Sequence, residues 1–217
     1  VFIPKEKDSV NINQFRPISL LNVEGKIFFA VLAKRLTDFA IRNEYIDRSV
    51  QKGGVPGVPG CIEHSSMIWE AIKRAKQNQL SLHVVWLDLA NAYGTVRHQL
   101  LWKTLKRHNV PEFLIDVLQQ YFRRFRLRLS TSTCSTEWFN LRVGIAMGCS
   151  ISPILFVLAM QLLLGSIASR VQDVYLGKGI FMPSIKAFMD DTTLILNHCG
   201  EMRRILQNFN DFLSWCG

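Results

Sequence analysis

Two adjacent carboxylates, Asp190 and Asp191, stand between Ala187, Phe188 and Met189 on one side and Thr192, Thr193 and Leu194 on the other. Residues 184–188 and 192–196 both read as strands, so the pair is expected at the tip of a β-hairpin. Carboxylates are hard oxygen ligands. Mg²⁺ takes only one or two of them and leaves its other positions to water and substrate phosphates, so such a tip suits a divalent cation. Taken alone, the pair reads first as a solvated acidic turn. A third carboxylate shifts the balance: Val84, Val85, Trp86, Leu87, Asp88 and Leu89 form an apolar run carrying one acid, and bulk on both alternating faces predicts a buried central strand. An Asp buried without a partner is costly, so an acid there is expected to be paired, protonated or bound to metal.

Periodicity supplies the elements that must position these acids. Apolar residues recur at helical spacing over residues 22–41 (Val23, Ile27, Val31, Leu32, Leu36, Phe39, Ala40), with Lys26, Lys34 and Arg35 toward water. Residues 63–77 repeat the pattern through Met67, Ile68, Ala71 and Ile72, and His64 is expected as a surface or packed histidine. Further helices are predicted through Leu100, Leu101 and Leu105, from Pro111 to about Phe122, from Pro153 onward with Ser152 as N-cap, and over residues 201–215. The glycine- and proline-rich stretch 51–60 is the strongest loop signal, and its glycines would let backbone approach closely.

Charged and small residues add candidate contacts. Residues 2–4 and 15–18 predict a hairpin around the polar loop 5–13, with Lys5, Lys7 and Arg16 either facing water or reaching phosphate oxygens, Arg16 through a bidentate fork. Alternation over residues 123–130 places Arg126 and Arg128 on one strand face and Phe125, Leu127 and Leu129 on the other, paired with residues 138–143. Those arginines would either neutralise phosphates or simply face water. Residues 144–153 form a loop in which Gly148, lacking a Cβ, lets backbone come close to a base or sugar.

Three stretches in order resemble the palm motifs of reverse transcriptases, most closely the non-LTR retrotransposon type: residues 87–93 (Leu87, Asp88, Leu89, Ala90, Asn91, Ala92, Tyr93), residues 144–156 around Met147, Gly148 and Pro153, and Phe188, Met189, Asp190 and Asp191. Residues 4–21, with Phe15, Arg16 and Pro17, resemble that family's fingers motif. The resemblance implies an α+β fold of right-hand polymerase fingers (residues 1–80) and palm (residues 81–217), an antiparallel palm sheet backed by helices, with the thumb missing. It implies an RNA-directed DNA polymerase that transfers nucleotides from dNTP to a primer 3′-hydroxyl on an RNA template. A pair of Mg²⁺ ions about 3.5–4 Å apart, replaceable by Mn²⁺, would be held by Asp88 and Asp190, then Asp191, with the Leu89 carbonyl as an extra ligand. Tyr93 matches the aromatic steric gate against a 2′-hydroxyl. Lys7, Arg16, Tyr93, Met147 and Gly148 become the nucleotide-binding set, and Arg126 and Arg128 the nucleic-acid contacts. Three departures stand out. Met147 replaces the usual Gln, Gly94 replaces an acid common in the family, and the loop at Gly54, Val55 and Val58 lacks the usual aromatic and basic residues.

Composition sets the outer limits. The 217 residues, 48% of them hydrophobic, can build a folded core, and 26 basic against 17 acidic residues give a formal charge of +9 that favours a polyanionic partner or an acidic membrane. No charge falls between Arg142 and Arg170, but Gly144, Gly148, Ser150, Ser152, Pro153, Gln161 and Gly165 break the run, so no membrane span is expected. Cys61, Cys134, Cys149, Cys199 and Cys216 make an odd count without a Cys-x-x-Cys pair, which favours reduced intracellular thiols, in nucleus or cytoplasm, over disulfides or secretion. His198 and Cys199 with Cys216 do not reach a four-ligand zinc spacing. Val1 at the start and no closing element after Gly217 predict a piece of a polyprotein with further sequence on both flanks. Two alternatives remain: an RNA-templated RNA polymerase sharing the palm, which the bulk of Tyr93 disfavours, and a nucleic-acid-binding remnant without catalysis.

Overall fold

The computed structural model describes residues 1–58, 60–131 and 134–216. Pro59 of the glycine–proline loop, Ser132, Thr133, Gly217 and the side chains of Trp215 and Cys216 lie outside that description. In chain order, β1 (Phe2–Pro4) and β2 (Phe15–Pro17) pair antiparallel, with Phe2 opposite Pro17. The polar loop between them is tied down by the Gln14 side chain, whose Oε1 accepts from the amides of Val10 and Asn11 at 2.9 and 2.8 Å. Helix α1 (Val23–Arg42) starts behind Asn22, whose side-chain oxygen caps the Gly25 amide at 3.0 Å. Then come α2 (Ile62–Gln77), β3 (His83–Leu87), the single turn α3 (Ala92–Thr95), α4 (His98–Arg107) and α5 (Glu112–Arg124), which begins immediately after Pro111. Short strands β4 (Arg126–Leu127) and β5 (Phe139–Asn140) precede α6 (Ser152–Ala168). The hairpin β6 (Val174–Tyr175) and β7 (Phe181–Met182), the hairpin β8 (Ile185–Phe188) and β9 (Asp191–Leu196), and helix α7 (Cys199–Cys216) complete the chain.

The chain forms two compact units: Val1–Phe39 with Tyr93–Leu155, and Ala40–Ala92 with Phe156–Gly217. Neither is continuous in sequence, so they are a different partition from residues 1–80 and 81–217. In the first unit, α4 and α5 bury Leu101, Leu105, Ile115 and Leu118, and Tyr121 packs on Phe29 with ring centroids 4.2 Å apart. Burial pushes the Tyr121 hydroxyl well above its ordinary range, and the Cys149 thiol lies 3.7 Å from it. In the second unit, all-antiparallel β3-β9-β8 is the organising sheet. On one face Val84 and Ile195 meet Ala71 and Ile68 of α2, together with Val174, Leu176 and Met182 from the β6–β7 hairpin. The alternate residues of β9, Thr192, Leu194 and Leu196, are buried too.

Three expectations are corrected. The strand that ends on Asp88 is an edge strand and β9 is the centre; Trp86 is 71% exposed and Asp88 is exposed, so no buried acid has to be compensated there. The apolar stripe of α1 is covered only in its second half: Leu36 and Ala40 are buried, while Val23, Ile27 and Val31 are all more than half exposed. Ser152 does not cap α6 but opens it, its hydroxyl donating 2.8 Å backwards to the Ala146 carbonyl. The β6–β7 hairpin had no sequence signal that stood out. Among the described residues no helix is long and apolar enough to cross a membrane.

Leu194 is wholly buried on the central strand, so Leu194→Ala is expected to cost about 2–5 kcal/mol of unfolding free energy. Trp86→Ala, on the open edge, should change it by less than about 0.5 kcal/mol; chemical denaturation of both variants checks the assignment of centre and edge. Burial holds His64 and His108 below the histidine value of 6.5, against the opposing pull of ring hydrogen bonds to the Val50 and Thr104 carbonyls. Below that value the unfolded chain takes up protons that the folded chain refuses. The contribution is therefore complete above pH 6.5 and lost as pH falls. Unfolding midpoints measured from about pH 7 to pH 5 should fall, with a smaller slope in a His64→Gln, His108→Gln double variant.

Candidate functional site

The β8–β9 hairpin closes with Phe188 opposite Asp191, leaving Met189 and Asp190 as the turn. Met189 takes a left-handed φ of 60°, which an L residue with a long side chain adopts only under constraint. Asp190 thus occupies the turn, half-buried, and Asp191 opens β9. On the other side of β9 the last register pair is Leu87 with Thr192; one step further, the two strands carry Asp88 and Asp191. Both of these line one recess of about 340 Å³, with Cys61, His64, Trp86 and Lys186 also in its walls. The two acidic stretches therefore converge on one end of one sheet, as the hairpin pattern predicts. Leu89 follows past the end of β3 and is half-buried.

Among the described residues, no three His, Cys, Asp or Glu side chains gather into a metal-holding group. The donor set nevertheless fits Mg²⁺, which needs one or two carboxylates and completes its shell with water and phosphate oxygens; Asp88 and Asp191 offer two in the same recess. Adjacent carboxylates repel each other, and a cation between them relieves that repulsion.

Sequence reasoning missed what holds this turn in place. Residues 49–53 run beside β8: the Ala187 amide donates to the Val50 carbonyl at 2.8 Å, and the Lys52 amide donates to the Ala187 carbonyl at 2.9 Å. Gln51 is 0% exposed, and its side chain bonds both backbone groups of Met189. The Cβ that Gly53 lacks would stand 2.2 Å from the Met189 amide nitrogen. The close backbone approach expected of this loop is thus to the hairpin. His64, packed as expected, donates through Nε2 to the Val50 carbonyl at 2.9 Å, while its Nδ1 is buried without a partner. Lys52 reaches Glu63 in the first turn of α2 at 2.7 Å. Lys186 is 2% exposed and donates to the Ser49 carbonyl at 3.3 Å; burial lowers its pKa, the Lys52 charge adds to the effect, and Asp47 and Asp173 oppose it. No sequence signal marked Gln51 or Lys186, because their partners lie 138 and 137 positions away.

The remaining candidates lie in the first unit. Tyr93 is half-buried in α3, and its carbonyl accepts from the Ile145 amide at 2.8 Å. Met147 and Gly148 adjoin the strand that carries Arg16: the Ser19 amide donates to the Met147 carbonyl at 2.6 Å. A Cβ on Gly148, whose φ is +103°, would fall 2.4 Å from the Ser19 carbonyl oxygen. The space that this glycine leaves is therefore filled by protein backbone. Lys7 and Arg16 are exposed. Arg126 and Arg128 are exposed while Phe125 and Leu127 are half-buried, as the alternation predicts, but Leu129 is exposed because the strand ends at Leu127; the Arg128 guanidinium lies 5.1 Å from the centroid of Trp138. Among the described residues neither arginine forms an ion pair.

Comparison with known proteins places this arrangement. Over the whole chain, 28% of residues are identical to the retrovirus-related Pol polyprotein from type-2 retrotransposable element R2DM of Drosophila melanogaster, 20% of which is covered. The Transposon TX1 uncharacterized 149 kDa protein of Xenopus laevis is 24% identical over 93% of the chain and 15% of its own length. The chain spans about a fifth or less of these relatives. Among solved structures, telomerase from Candida tropicalis in complex with the TWJ fragment of telomeric RNA superposes with a TM-score of 0.58 at 11% identity, over 83% of this chain and 30% of that one, a likeness of fold. It agrees with the α+β polymerase fold class, built on antiparallel sheets, that the motifs imply. A family profile described as reverse transcriptase (RNA-dependent DNA polymerase) matches residues 3–217, and the chain belongs to that family.

Proposed function

We propose that this chain is the fingers (residues 1–80) and palm (residues 81–217) of a retrotransposon RNA-directed DNA polymerase, extending a DNA primer on an RNA template. The supporting observation is the delivery of Asp88 and the Asp190–Asp191 hairpin to one end of a single antiparallel sheet. Asp88 and Asp190 would hold two Mg²⁺ ions, with Asp191 and the Leu89 carbonyl in support and Mn²⁺ as a substitute. When bound, these ions supply activation of the primer 3′-hydroxyl and neutralisation of the departing pyrophosphate.

The protein's own part is positioning. Arg16, with Lys7, would bind the triphosphate, and its fork suits paired phosphate oxygens better than a point charge does. Tyr93, held by packing, would exclude a 2′-hydroxyl by steric overlap. Met147 and Gly148 would flank the incoming nucleotide through the exposed side of their loop, since its other side is occupied by Ser19. Arg126 and Arg128, unpaired with acids among the described residues, would neutralise template or primer phosphates.

Primer extension on an RNA template with Mg²⁺ and dNTPs tests this reading. Asp88→Ala and Asp190→Ala should each reduce the rate by about 10³-fold or more, as expected for the loss of several kcal/mol of charge stabilisation. Tyr93→Ala should admit ribonucleotides, narrowing dNTP over NTP preference by roughly tenfold or more. Arg126→Ala and Arg128→Ala should weaken primer–template binding and reduce its salt slope by about one each. Tight binding of primer–template by a folded protein that never extends it would overturn the catalytic reading in favour of a binding module.

A further inference from the structure

We propose that Gln51 is a positioning residue for the turn that carries Asp190, acting through the backbone of Met189; this rests on the polymerase reading above. A two-residue turn takes the amide and carbonyl of Met189 out of the strand ladder, and both need partners. The Gln51 side chain supplies them: Oε1 accepts from the Met189 amide at 2.9 Å, and Nε2 donates to the Met189 carbonyl at 3.1 Å. The primary amide thus stands where the peptide group of a neighbouring strand would stand. Its orientation is unambiguous, because Oε1 also accepts from the Gly53 amide at 2.8 Å and two converging N–H donors must face the oxygen.

The side chain that makes these bonds is itself fixed. Gln51 is fully buried, forms a parallel bridge to Ala187, and is flanked by the Val50 and Lys52 bonds to that same residue. Gly53 allows the segment to lie against Met189, where a Cβ would collide with backbone. The left-handed Met189 is therefore gripped from one side by a rigid amide, and the direction of the next Cα–Cβ bond, that of Asp190, follows from it. Substitution of Gln51 should leave Asp88 and the rest of the sheet in place and loosen only this turn.

That limited effect gives a signature. Gln51→Met keeps the length and removes both hydrogen bonds to Met189 together with the one from the Gly53 amide. In the full chain it should lower kcat roughly 100-fold, the scale of a small misplacement of a reacting group, and raise the Mg²⁺ concentration for half-maximal rate, with primer–template affinity unchanged. A loss of folded protein alone would scale the rate without moving the Mg²⁺ requirement. A second readout does not depend on activity: amide exchange followed by NMR should show Met189 protected in the wild type and unprotected in Gln51→Met. Should Gln51→Met fail to fold, Gly53→Ala displaces the same turn by collision and should shift the Mg²⁺ requirement in the same direction. Wild-type rate and Mg²⁺ dependence in a folded Gln51→Met chain, or an unprotected Met189 amide in the wild type, would overturn the proposal. A wild type with a protected Met189 amide but no extension would instead overturn the polymerase reading, and the positioning role with it.

Discussion

The pairing of residues 49–53 along β8 is the constraint on which the acidic end of the sheet depends. A two-residue turn with a left-handed methionine does not hold its shape by ladder bonds alone, since the ladder stops at Phe188 and Asp191. Backbone bonds from Val50 and Lys52 to Ala187 close the outer edge of β8, and Gln51 continues the pattern past the point where the strand ends. Each buried polar group so engaged would cost about 1–3 kcal/mol if left without its partner, which is why the segment and hairpin are stable only together. Among the described residues the other edge, β3, pairs with no such segment, and there Trp86 and Asp88 are exposed.

That asymmetry explains a charge distribution that is otherwise puzzling. The wall of the recess holding Asp88 and Asp191 also contains a lysine buried to 2% exposure, an arrangement that costs desolvation and is reflected in the depressed pKa of Lys186. Its hydrogen bond to the Ser49 carbonyl belongs to the same zipped segment, so the cation is used structurally, anchoring the start of the run whose middle anchors the turn. The histidine on α2 plays the matching part from the other side. His64, whose pKa burial lowers, donates through Nε2 to the Val50 carbonyl, and that carbonyl accepts the Ala187 amide as well. Helix, segment and hairpin therefore share one acceptor.

Much of this was legible in the sequence, and what was not has a physical reason. The hairpin tip could be read because strand-forming residues flank the two acids on both sides, and the helices because their apolar spacing survives in α2, α4 and α5. Alternation was legible only where the strand exists: the period of two fixes Arg126 and Leu127, but the strand stops there and leaves Leu129 37% exposed beside Arg128. The central position expected of β3 failed because an apolar run looks the same whether or not something covers it: nothing in residues 84–89 says that α2 meets Val84 but leaves Trp86 bare. The first half of α1 failed in the same way. Gln51 had no signature at all, since one uncharged amide before two glycines carries no period and its partner is 138 positions away.

The glycines show how a motif can be read correctly and interpreted at the wrong level. Gly148 and Gly53 both stand where a Cβ is forbidden, as close backbone approach requires. In each case the group that approaches is protein: the Ser19 carbonyl for Gly148 and the Met189 amide for Gly53. The first joins the loop of Met147 to the strand of Arg16, and the second seats Gln51's segment against the acidic turn. A glycine beside candidate functional residues thus acts in this chain by letting two separated stretches of backbone touch, which fixes where the neighbouring side chains point. In the proposed polymerase reading, specificity toward a nucleotide would then rest on the side chains of Arg16, Tyr93 and Met147, with the glycines contributing only through the frame that holds them.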